Sequence, residues 1–235
     1  MIKKITVILL LLLTSQVGKS QVLITLLLGD KLNSDKIEFG LDIGYNYAKM
    51  SEFESGTPST ALNLGFYFDF KLKNQLFLNT GVLVKSNVGL NKLRESDVLI
   101  LDPATIYIDS GNYEQKISYF HVPVALKYRF KNHFFVHLGP QVALRTKAYL
   151  IFDYEKNGKE LNIKTNNSDL FNRLELAVIG GMGYKLRKGT GMNIGVKYFY
   201  GLTNSFKNNY YNSKNSSLYA YLSIPIGKGK KEDIN

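Results

Sequence analysis

Eight stretches of the chain, the first beginning at Lys36, alternate strictly between apolar and polar residues. Because successive side chains of a β-strand point to opposite faces, a period of two predicts a strand with one apolar face. In the first stretch, Ile37, Phe39 and Leu41 share that face. The predicted strands are Lys36–Ala48, Ala61–Lys73, Gln75–Asn91, Ile117–Phe130, His133–Ala148, Arg173–Arg187, Gly191–Leu202 and Ser217–Gly227.

The apolar faces of these stretches contain no Asp, Glu, Lys or Arg. A Lys or Arg that faces hydrocarbon at the middle of a bilayer costs about 2–4 kcal/mol, whereas the lumen of a membrane barrel tolerates polar groups. A soluble periplasmic β-domain also alternates, but its strands are typically about 5–6 residues long, against about 9–11 needed to cross a membrane. The pattern therefore favours a transmembrane barrel. It predicts lumen positions for the charged residues of the opposite phase: Glu38, Asp42, Asp69, Lys71, Lys85, Lys127, Arg129, Arg145, Lys147, Arg173, Glu175, Lys185, Arg187 and Lys197.

The connections between the predicted strands alternate between short and long. Three are short turns, at 73–75, 131–132 and 188–190, and four are long polar loops, at 49–60, 92–116, 149–172 and 203–216. Bacterial outer-membrane barrels have an even number of antiparallel strands, short periplasmic turns and long extracellular loops. The sequence thus predicts an all-β fold: an eight-stranded antiparallel up-and-down transmembrane β-barrel in the cell outer membrane, with both termini in the periplasm.

The two ends of the chain do not alternate. Residues 1–20 have the three parts of a secretion signal, namely Lys3 and Lys4, an apolar run from Ile5 to Leu13, and polar residues up to Ser20. We expect cleavage before Gln21, followed by a periplasmic N-terminal segment over 21–35. The barrel then spans 36–227, and a basic periplasmic tail follows over 228–235.

Charge and cysteine content narrow the classes of partner and chemistry. The chain contains no Cys, which excludes structural disulfides, thiolate metal sites and a lipid-modified N-terminal Cys. The net charge is +11, or +8 (27 basic minus 19 acidic) after removal of Lys3, Lys4 and Lys19 with the signal. A basic balance can indicate nucleic acid, but the barrel pattern favours outer-membrane lipid and lipopolysaccharide instead. We also expect the barrel-assembly machinery as a partner during biogenesis, and no nucleic acid.

The predicted lumen is the first place to look for function. An eight-stranded barrel is only just wide enough for its own side chains to fill. We therefore expect the lumen charges to pair, with Glu38 or Asp42 bonded to Arg145 or Lys147 near one end. Asp69 is expected to bond Lys71 and Lys127 near the other end. A small porin-like channel is the alternative, and the excess of basic lumen residues would then give it a mild anion preference.

A lipid-modifying enzyme and a surface-binding protein are the remaining classes. An enzyme needs a nucleophile and a base within hydrogen-bond reach, but His121 and His137 take the lumen phase, Ser118 takes the lipid phase and His133 falls at a turn. We therefore predict no catalytic residues, no cofactor and no metal site. The long loops 92–116 and 149–172 combine Tyr with Asn and Ser, a composition suited to recognition of a surface ligand. A surface-interaction or envelope-structural role is the favoured interpretation.

Proline and glycine inside the strands mark local departures from regular pairing. Pro123 and Pro140 lack the N–H that a ladder bond needs, so we predict a bulge at each. Gly180, Gly181 and Gly183 lie inside a strand pattern with no strand-to-helix turn. They predict close packing of side chains across a narrow lumen rather than a nucleotide-binding loop.

Four segments in combination resemble the PorT-like outer-membrane β-barrel family of the Bacteroidetes. The combination is a strand with an internal Pro, a Gly-Pro pair, a Gly-rich strand and Tyr-x-Tyr-Gly-Leu. The segments are YFHVPVALKYRF (Tyr119–Phe130), FFVHLGPQVALRTKA (Phe134–Ala148), DLFNRLELAVIGGMGYKL (Asp169–Leu186) and MNIGVKYFYGLTN (Met192–Asn204). The resemblance implies an eight-stranded barrel in the outer membrane. One member type is linked to the type IX secretion and gliding apparatus, and that role is not carried over to this chain.

Overall fold

The computed structural model describes residues 34, 36–101, 111–186, 191–207 and 211–226. The predicted signal peptide, the segment 21–35 apart from Ser34, the predicted tail 228–235 and Arg187 lie outside these ranges. Within them the chain forms nine antiparallel strands, one short helix and one 3-10 turn. They are β1 (Ile37–Met50), β2 (Thr57–Lys71), β3 (Leu76–Leu93), α1 (Glu95–Leu101), β4 (Gly111–Arg129), β5 (Phe134–Lys156), β6 (Lys159–Asn166), the 3-10 turn (Ser168–Leu170), β7 (Leu174–Lys185), β8 (Asn193–Gly201) and β9 (Asn215–Pro225).

Eight of these strands close into a ring. The sheet runs β4-β3-β2-β1-β9-β8-β7-β5, and the additional pairing of β4 with β5 joins its two ends. Closure leaves the ring without a free edge whose backbone groups would be bare in lipid. The predicted fold class, an eight-stranded antiparallel up-and-down barrel, is therefore confirmed. We call the end at which β2–β3, β4–β5 and β7–β8 are joined the turn end, and the opposite end the loop end.

A continuous apolar band covers the outside of the barrel. On β4, every second residue from Phe120 to Phe130 is exposed and apolar, while His121, Ala125 and Lys127 between them are buried. Ten residue steps of about 3.4 Å at a tilt of about 40° give a height of about 26 Å, which matches the roughly 25 Å apolar band of outer-membrane barrels. In β4, the predicted assignment of lipid and lumen phases is correct.

Two β-bulges interrupt the alternation on either side of β4. On β3, Gly65 pairs with Leu83 but Leu64 pairs with Lys85, and Val84 and Lys85 are both exposed. On β5, Tyr119 pairs with Arg145 but Ser118 pairs with Lys147, so Thr146 is the extra residue. Each bulge adds one residue to one strand, and the side chains that follow it change face. On β3 the new phase holds up to Leu90, after which a second register shift precedes the buried Leu93.

The change of face overturns four predicted positions. Lys85 and Lys147 were expected in the lumen, and both are exposed on the outside of the barrel instead. Val88 and Leu90 were expected to face lipid, and both are buried inside. The physical reason is the same in each case, because every one of these residues lies at or beyond a bulge.

The predicted bulges at Pro123 and Pro140 are wrong. Pro123 pairs with Gln141, and Leu126 pairs with Leu138 in the same register. Pro140 pairs with Val178 in an unbroken run. A missing N–H removes one ladder bond but does not by itself demand an extra residue, and the register is preserved across both prolines.

The loop end carries ordered structure where long loops were predicted. β5 continues to Lys156 and returns as β6, with Tyr149 opposite Asn166 and Lys156 opposite Lys159. Within the predicted loop 92–116, β3 extends to Leu93, α1 follows, and β4 already begins at Gly111. β6 has the sequence KELNIKTN, which carries no apolar lipid face because this hairpin lies beyond the apolar band. No helix in the described ranges is long and apolar enough to cross a membrane.

The cost of placing a charged residue on the lipid face depends on its depth within the apolar band. Val124 lies near the middle of the band on β4 and Phe120 lies at its loop-end limit. Relative to alanine at the same site, we expect Val124→Arg to lower the free energy of unfolding by about 2–4 kcal/mol and Phe120→Arg by about 0–1 kcal/mol. The measurement is guanidinium unfolding in phospholipid vesicles, followed by circular dichroism because the chain has no Trp. Equal costs at the two sites would contradict a hydrocarbon environment around the band.

Candidate functional site

The turn-end half of the barrel interior holds a set of ion pairs that we call the ion-pair layer. Lys185 Nζ lies 2.6 Å from Glu38 Oε2. Lys197 Nζ lies 2.7 Å from Asp42 Oδ2. Lys127 Nζ lies 2.6 Å from Asp69 Oδ2, and Arg129 Nη2 lies 3.7 Å from the same oxygen. The acids come from β1 and β2 and the bases from β4, β7 and β8, so the pairs bridge the lumen.

Neutral side chains occupy the second oxygen of each carboxylate in this layer. The Tyr67 hydroxyl donates to Glu38 Oε1 at 3.0 Å. The Ser223 hydroxyl donates to Asp42 Oδ1 at 3.0 Å, and Asn79 Nδ2 donates to Asp69 Oδ1 at 2.6 Å. A buried ion pair is tolerated when further hydrogen bonds satisfy its remaining lone pairs. The geometry therefore makes the layer a packed structural network.

A second, mostly neutral network lies above the ion-pair layer, towards the loop end. Glu175 is 1% exposed, and its Oε2 accepts hydrogen bonds from the Tyr119 hydroxyl at 3.1 Å and from Asn215 Nδ2 at 2.6 Å. Gln141 Nε2 and His121 Nδ1 lie 2.8 Å apart. These groups bond to one another across the interior and point towards no common open space.

Glycines on β7 make room for rings from the neighbouring strand. A Cβ atom at Gly183 would lie 2.5 Å from the Phe135 ring, and one at Gly181 would lie 2.7 Å from the His137 ring. Both distances are shorter than a carbon atom can approach, so a larger residue would displace the rings. Close packing is therefore present at Gly181 and Gly183, but against the adjacent strand β5 rather than across the lumen as predicted. At Gly180 the nearest side chain would be Leu138, at an ordinary contact distance of 3.4 Å.

The loop-end half of the interior is filled by apolar side chains, which we call the apolar plug. They come from the ring strands beyond the bulges, from α1 and from the segments around the 3-10 turn and Phe206. Its buried members are Ala48, Met50, Val88, Leu90, Leu93, Val98, Leu101, Tyr113, Ile117, Tyr119, Ala143, Ala148, Leu150, Phe152, Phe171 and Phe206. The sequence analysis missed this cluster for two reasons. Val88, Leu90 and Ala148 were assigned the phase that holds below the bulges, and most of the other members lie in segments predicted as loops.

Little space remains between the side chains of the lumen. A cavity of about 20 Å³ lies beside Asp42, Tyr67, His137 and Lys197. A cavity of this size holds about one water molecule. Over the described residues, the interior thus combines a paired polar half and an apolar half, with this water-sized cavity in the polar half.

The predicted site residues fall into three groups. Glu38, Asp42, Asp69, Lys127, Arg129, Lys185 and Lys197 meet in the ion-pair layer, and Glu175 lies in the network above it. Arg145 is half-buried near the loop end, where its Nε donates to the Asn172 carbonyl at 3.3 Å. Lys71, Lys85, Lys147 and Arg173 are exposed, and Arg187 lies outside the described residues. The lumen position predicted for Arg173 is therefore wrong, because this residue lies just before the first residue of β7.

Two of the predicted pairings are wrong in their partners. Glu38 and Asp42 bond Lys185 and Lys197 rather than Arg145 or Lys147. Glu38 is directly opposite Asp69 in the β1–β2 register, so all three acids lie in the same half of the barrel and not at opposite ends. For Asp69, Lys127 is a partner as predicted, and Lys71 is exposed at the end of β2.

The histidines do not converge on a metal or on a nucleophile. His121 and His137 are buried in the lumen, whereas the Ser118 hydroxyl donates to Asn87 Oδ1 at 2.7 Å on the outer face. No group of three or more His, Cys, Asp or Glu side chains able to hold a metal ion occurs within the described ranges. In the described ranges, His121 bonds with Gln141 and packs against Phe199, and His137 packs against Phe135.

Comparison with known proteins agrees with this geometry. Residues 28–207 match the family described as outer membrane protein beta-barrel domain. The chain belongs to this family. Membership of this family places the protein in the outer membrane. The apolar band on the outside of the barrel is the surface that would contact the lipid of that membrane.

Several solved structures show a remote likeness to this outer-membrane barrel. Ail of Yersinia pestis is 12% identical over 82% of this chain and 100% of that chain, with a TM-score of 0.43. Neisserial surface protein A is 12% identical over 80% and 96%, with a TM-score of 0.39. OprG of Pseudomonas aeruginosa is 12% identical over 81% and 91%, with a TM-score of 0.35. No protein of curated function matches the chain.

The ion-pair layer predicts a specific pattern of stability. Lys197→Met keeps the length of the side chain but leaves the buried Asp42 carboxylate without its cation. We expect a loss of about 3–5 kcal/mol in the free energy of unfolding, and recovery of most of that loss in the double variant Lys197→Met with Asp42→Asn.

Denaturant unfolding in vesicles measures both effects. Lys71→Met, at an exposed position in the same turn-end half, serves as the control and is expected to change stability by less than about 0.5 kcal/mol. If Lys197→Met were as mild as Lys71→Met, the pair would not be buried in the folded barrel.

Proposed function

We propose that this outer-membrane barrel is non-conducting and acts through its loop end, as a surface-interaction protein with a side-chain-filled lumen. The observation that carries the proposal is the double closure of the interior. The ion-pair layer fills one half, the apolar plug fills the other, and the cavity between side chains has a volume of about 20 Å³. We further propose that the long loops face the cell exterior and both termini face the periplasm. The resemblance to the PorT-like group of the Bacteroidetes remains a prediction.

The two halves oppose ion passage by different physical means. An ion entering the ion-pair layer must displace Lys197 from Asp42 or Lys127 from Asp69, and each displacement leaves a buried charge unpaired. An ion entering the apolar plug must give up its hydration among side chains such as Val88, Leu150 and Phe152, which offer no polar replacement. An ion must cross both barriers to pass through the barrel, so the barrel blocks ions even if one barrier alone is incomplete.

The plug also gives the loop end a defined shape. Val98 and Leu101 of α1 are buried in it, and Asp97 of the same helix accepts hydrogen bonds from the backbone N–H of Ser55 at 2.9 Å and from the Ser55 hydroxyl. The β5–β6 hairpin adds a second ordered element. A surface already held in one conformation loses less entropy when a partner binds, which favours recognition over a spacer role for these segments.

Exposed apolar side chains on this ordered loop end support an interaction surface. Leu99 on α1, Leu161 on β6 and Tyr211 before β9 are each 41–48% exposed. They lie on segments beyond the apolar band, where water rather than lipid is their neighbour. We call α1, the β5–β6 hairpin and the segment at Tyr211 the loop cap.

Conductance in planar bilayers tests the closed lumen. Purified barrel at low concentration is expected to give no stepwise current events, because the ion-pair layer and the plug leave no continuous water path. A larger porin in the same bilayer, with its known step size, shows that insertion and detection work. Reproducible steps from the wild-type barrel would establish the channel alternative in place of the closed lumen.

Single cysteines in this cysteine-free chain test the loop cap. Lys159→Cys lies on the β5–β6 hairpin and Lys131→Cys lies in the β4–β5 turn, and both positions are exposed. In intact cells, a membrane-impermeant maleimide that carries a photoreactive group should label Lys159→Cys and leave Lys131→Cys unlabelled. Illumination of the labelled cells should then yield a discrete cross-linked species.

The two readouts separate the parts of the proposal. Labelling of Lys131→Cys in intact cells would show that the turn end faces the exterior, opposite to the proposed orientation. Efficient labelling of Lys159→Cys without any discrete cross-linked species would overturn the interaction role while leaving the orientation in place.

A further inference from the structure

The two bulges place lysines on the outside of the barrel just beyond the apolar band. Towards the loop end, Val84 is the last exposed apolar residue on β3 and Phe120 is the last on β4. The next outward residues are Lys85 on β3 and Ser118 on β4. On β5, Leu144 is the corresponding apolar residue, and Thr146 and Lys147 follow it, both exposed. Without the bulges, Lys85 and Lys147 would point into the lumen.

A third lysine joins them on the same face. Lys116 alternates with the buried residues Gln115 and Ile117 on β4 and is half-exposed on the outside. It lies two residues from Ser118, which is opposite Lys147 on β5 and opposite Asn87 on β3. Lys116 is opposite Gly89 on β3, which is four residues from Lys85. With neighbouring strands about 4.8 Å apart and about 3.4 Å per residue, the Cα atoms of the three lysines lie about 8–14 Å from one another across β3, β4 and β5, a span that their long side chains can bridge. We call Lys85, Lys116 and Lys147 the lysine patch.

The wall between these lysines is polar. The Ser118 hydroxyl donates to Asn87 Oδ1 at 2.7 Å, and the Thr146 hydroxyl donates to the Ser118 carbonyl at 3.1 Å. Below this level the outward positions of the same three strands are apolar except at Thr80, whose hydroxyl donates to the Pro123 carbonyl. The patch is therefore a local change in the chemistry of the wall, made by short polar side chains and long cationic ones.

The patch is not neutralised by the protein. None of its three lysines forms a salt bridge within the described residues, whereas Lys127, Lys185 and Lys197 in the lumen each pair with a carboxylate. The nearest acid along β4 is Glu114, two residues beyond Lys116. Burial raises the pKa of the Glu114 carboxyl, and Lys116 opposes that rise. Lys85 and Lys147 have no comparable neighbour on their own strands within two residues.

We infer that the lysine patch binds the phosphate-bearing head group of a lipid in the outer leaflet. The inference rests on the proposed orientation, in which the loop end faces the exterior. The apolar band then ends at the level where acyl chains give way to head groups, and the patch lies at that level. Lys acts as a compact positive charge for phosphate, and a lysine near an anionic lipid surface contributes a favourable interaction that salt screens. A phosphorylated glycolipid brings both an acyl chain for the band and an anion for the patch.

Lipid retention by the full mature chain in nanodiscs tests this inference. The probes are phosphorylated lipid A, the same lipid A with its phosphates removed, and inorganic phosphate as a competitor. We expect the wild-type barrel to retain phosphorylated lipid A through a detergent wash, and retention to fall by about tenfold or more in the triple variant Lys85→Gln, Lys116→Gln and Lys147→Gln. The triple arginine variant at the same positions keeps the charge and is expected to retain the lipid.

A charge-matched variant controls for net charge. Lys71→Gln, Lys73→Gln and Lys131→Gln remove three exposed charges at the turn end and should leave retention unchanged. Heat-dependent electrophoretic mobility shows that each variant is a folded barrel. Equal retention of phosphorylated and dephosphorylated lipid A by the wild type would overturn the inference, as would equal losses in the two triple variants. Displacement by millimolar inorganic phosphate would show a site for free phosphate instead. All three outcomes leave the closed lumen untouched, since that is read from conductance.

Discussion

The fold depends on one constraint, the exclusion of ionised groups from hydrocarbon. Because no charge is tolerated on the lipid face, the charges of the membrane-crossing strands are confined to a lumen too narrow for much water. There they must pair, and the three acids of the ion-pair layer do so with both oxygens of each carboxylate bonded. Buried ion pairs give little net stability over apolar packing. In this barrel they satisfy charges that the lipid face cannot accept, and in doing so they fill the lumen.

The bulges flanking β4 couple two features that would otherwise be independent. A single extra residue on β3 turns Val88 and Leu90 inwards and leaves Lys85 outside. A single extra residue on β5 turns Ala148 and Leu150 inwards and leaves Lys147 outside. Part of the apolar plug and two of the three patch lysines are thus consequences of the same changes of phase. The interior becomes largely apolar near the height where the exterior changes from apolar to cationic. Only the change on the exterior is required of a barrel that leaves the hydrocarbon.

The sequence predicts the ring well and its loop end poorly, for a physical reason. Lipid imposes the period-two pattern over each crossing, so residues such as Val122, Val124 and Leu126 could be assigned to the outside without any structure. Beyond the apolar band, lipid no longer requires an apolar outer face, and the sequence of β6 lacks the apolar face that identifies the membrane-crossing strands. The bulges were invisible because no proline or glycine marks them, whereas Pro123 and Pro140, which do carry a signal, lie in regular pairing. The phase of each strand predicts which charges face the lumen, but it does not predict which of them meet. The pair of Asp69 with Lys127 was predicted, whereas the pair of Glu38 with Lys185 was not.

A filled lumen restricts where this protein can meet other molecules. The wall faces lipid, and the four charged pairs and the apolar plug occupy the interior, so the two ends remain. At the turn end the connections described are short, as at Leu72–Gln75 and Phe130–His133, and offer little area. At the loop end, α1 is buried against the plug and the β5–β6 hairpin extends the sheet, so the polypeptide there is held in shape by its own core. The lysine patch lies directly below this loop cap on β3, β4 and β5. An anchored head group at that level would fix the height of the cap relative to the surrounding lipid, and this links the lipid contact to the presentation of the interaction surface.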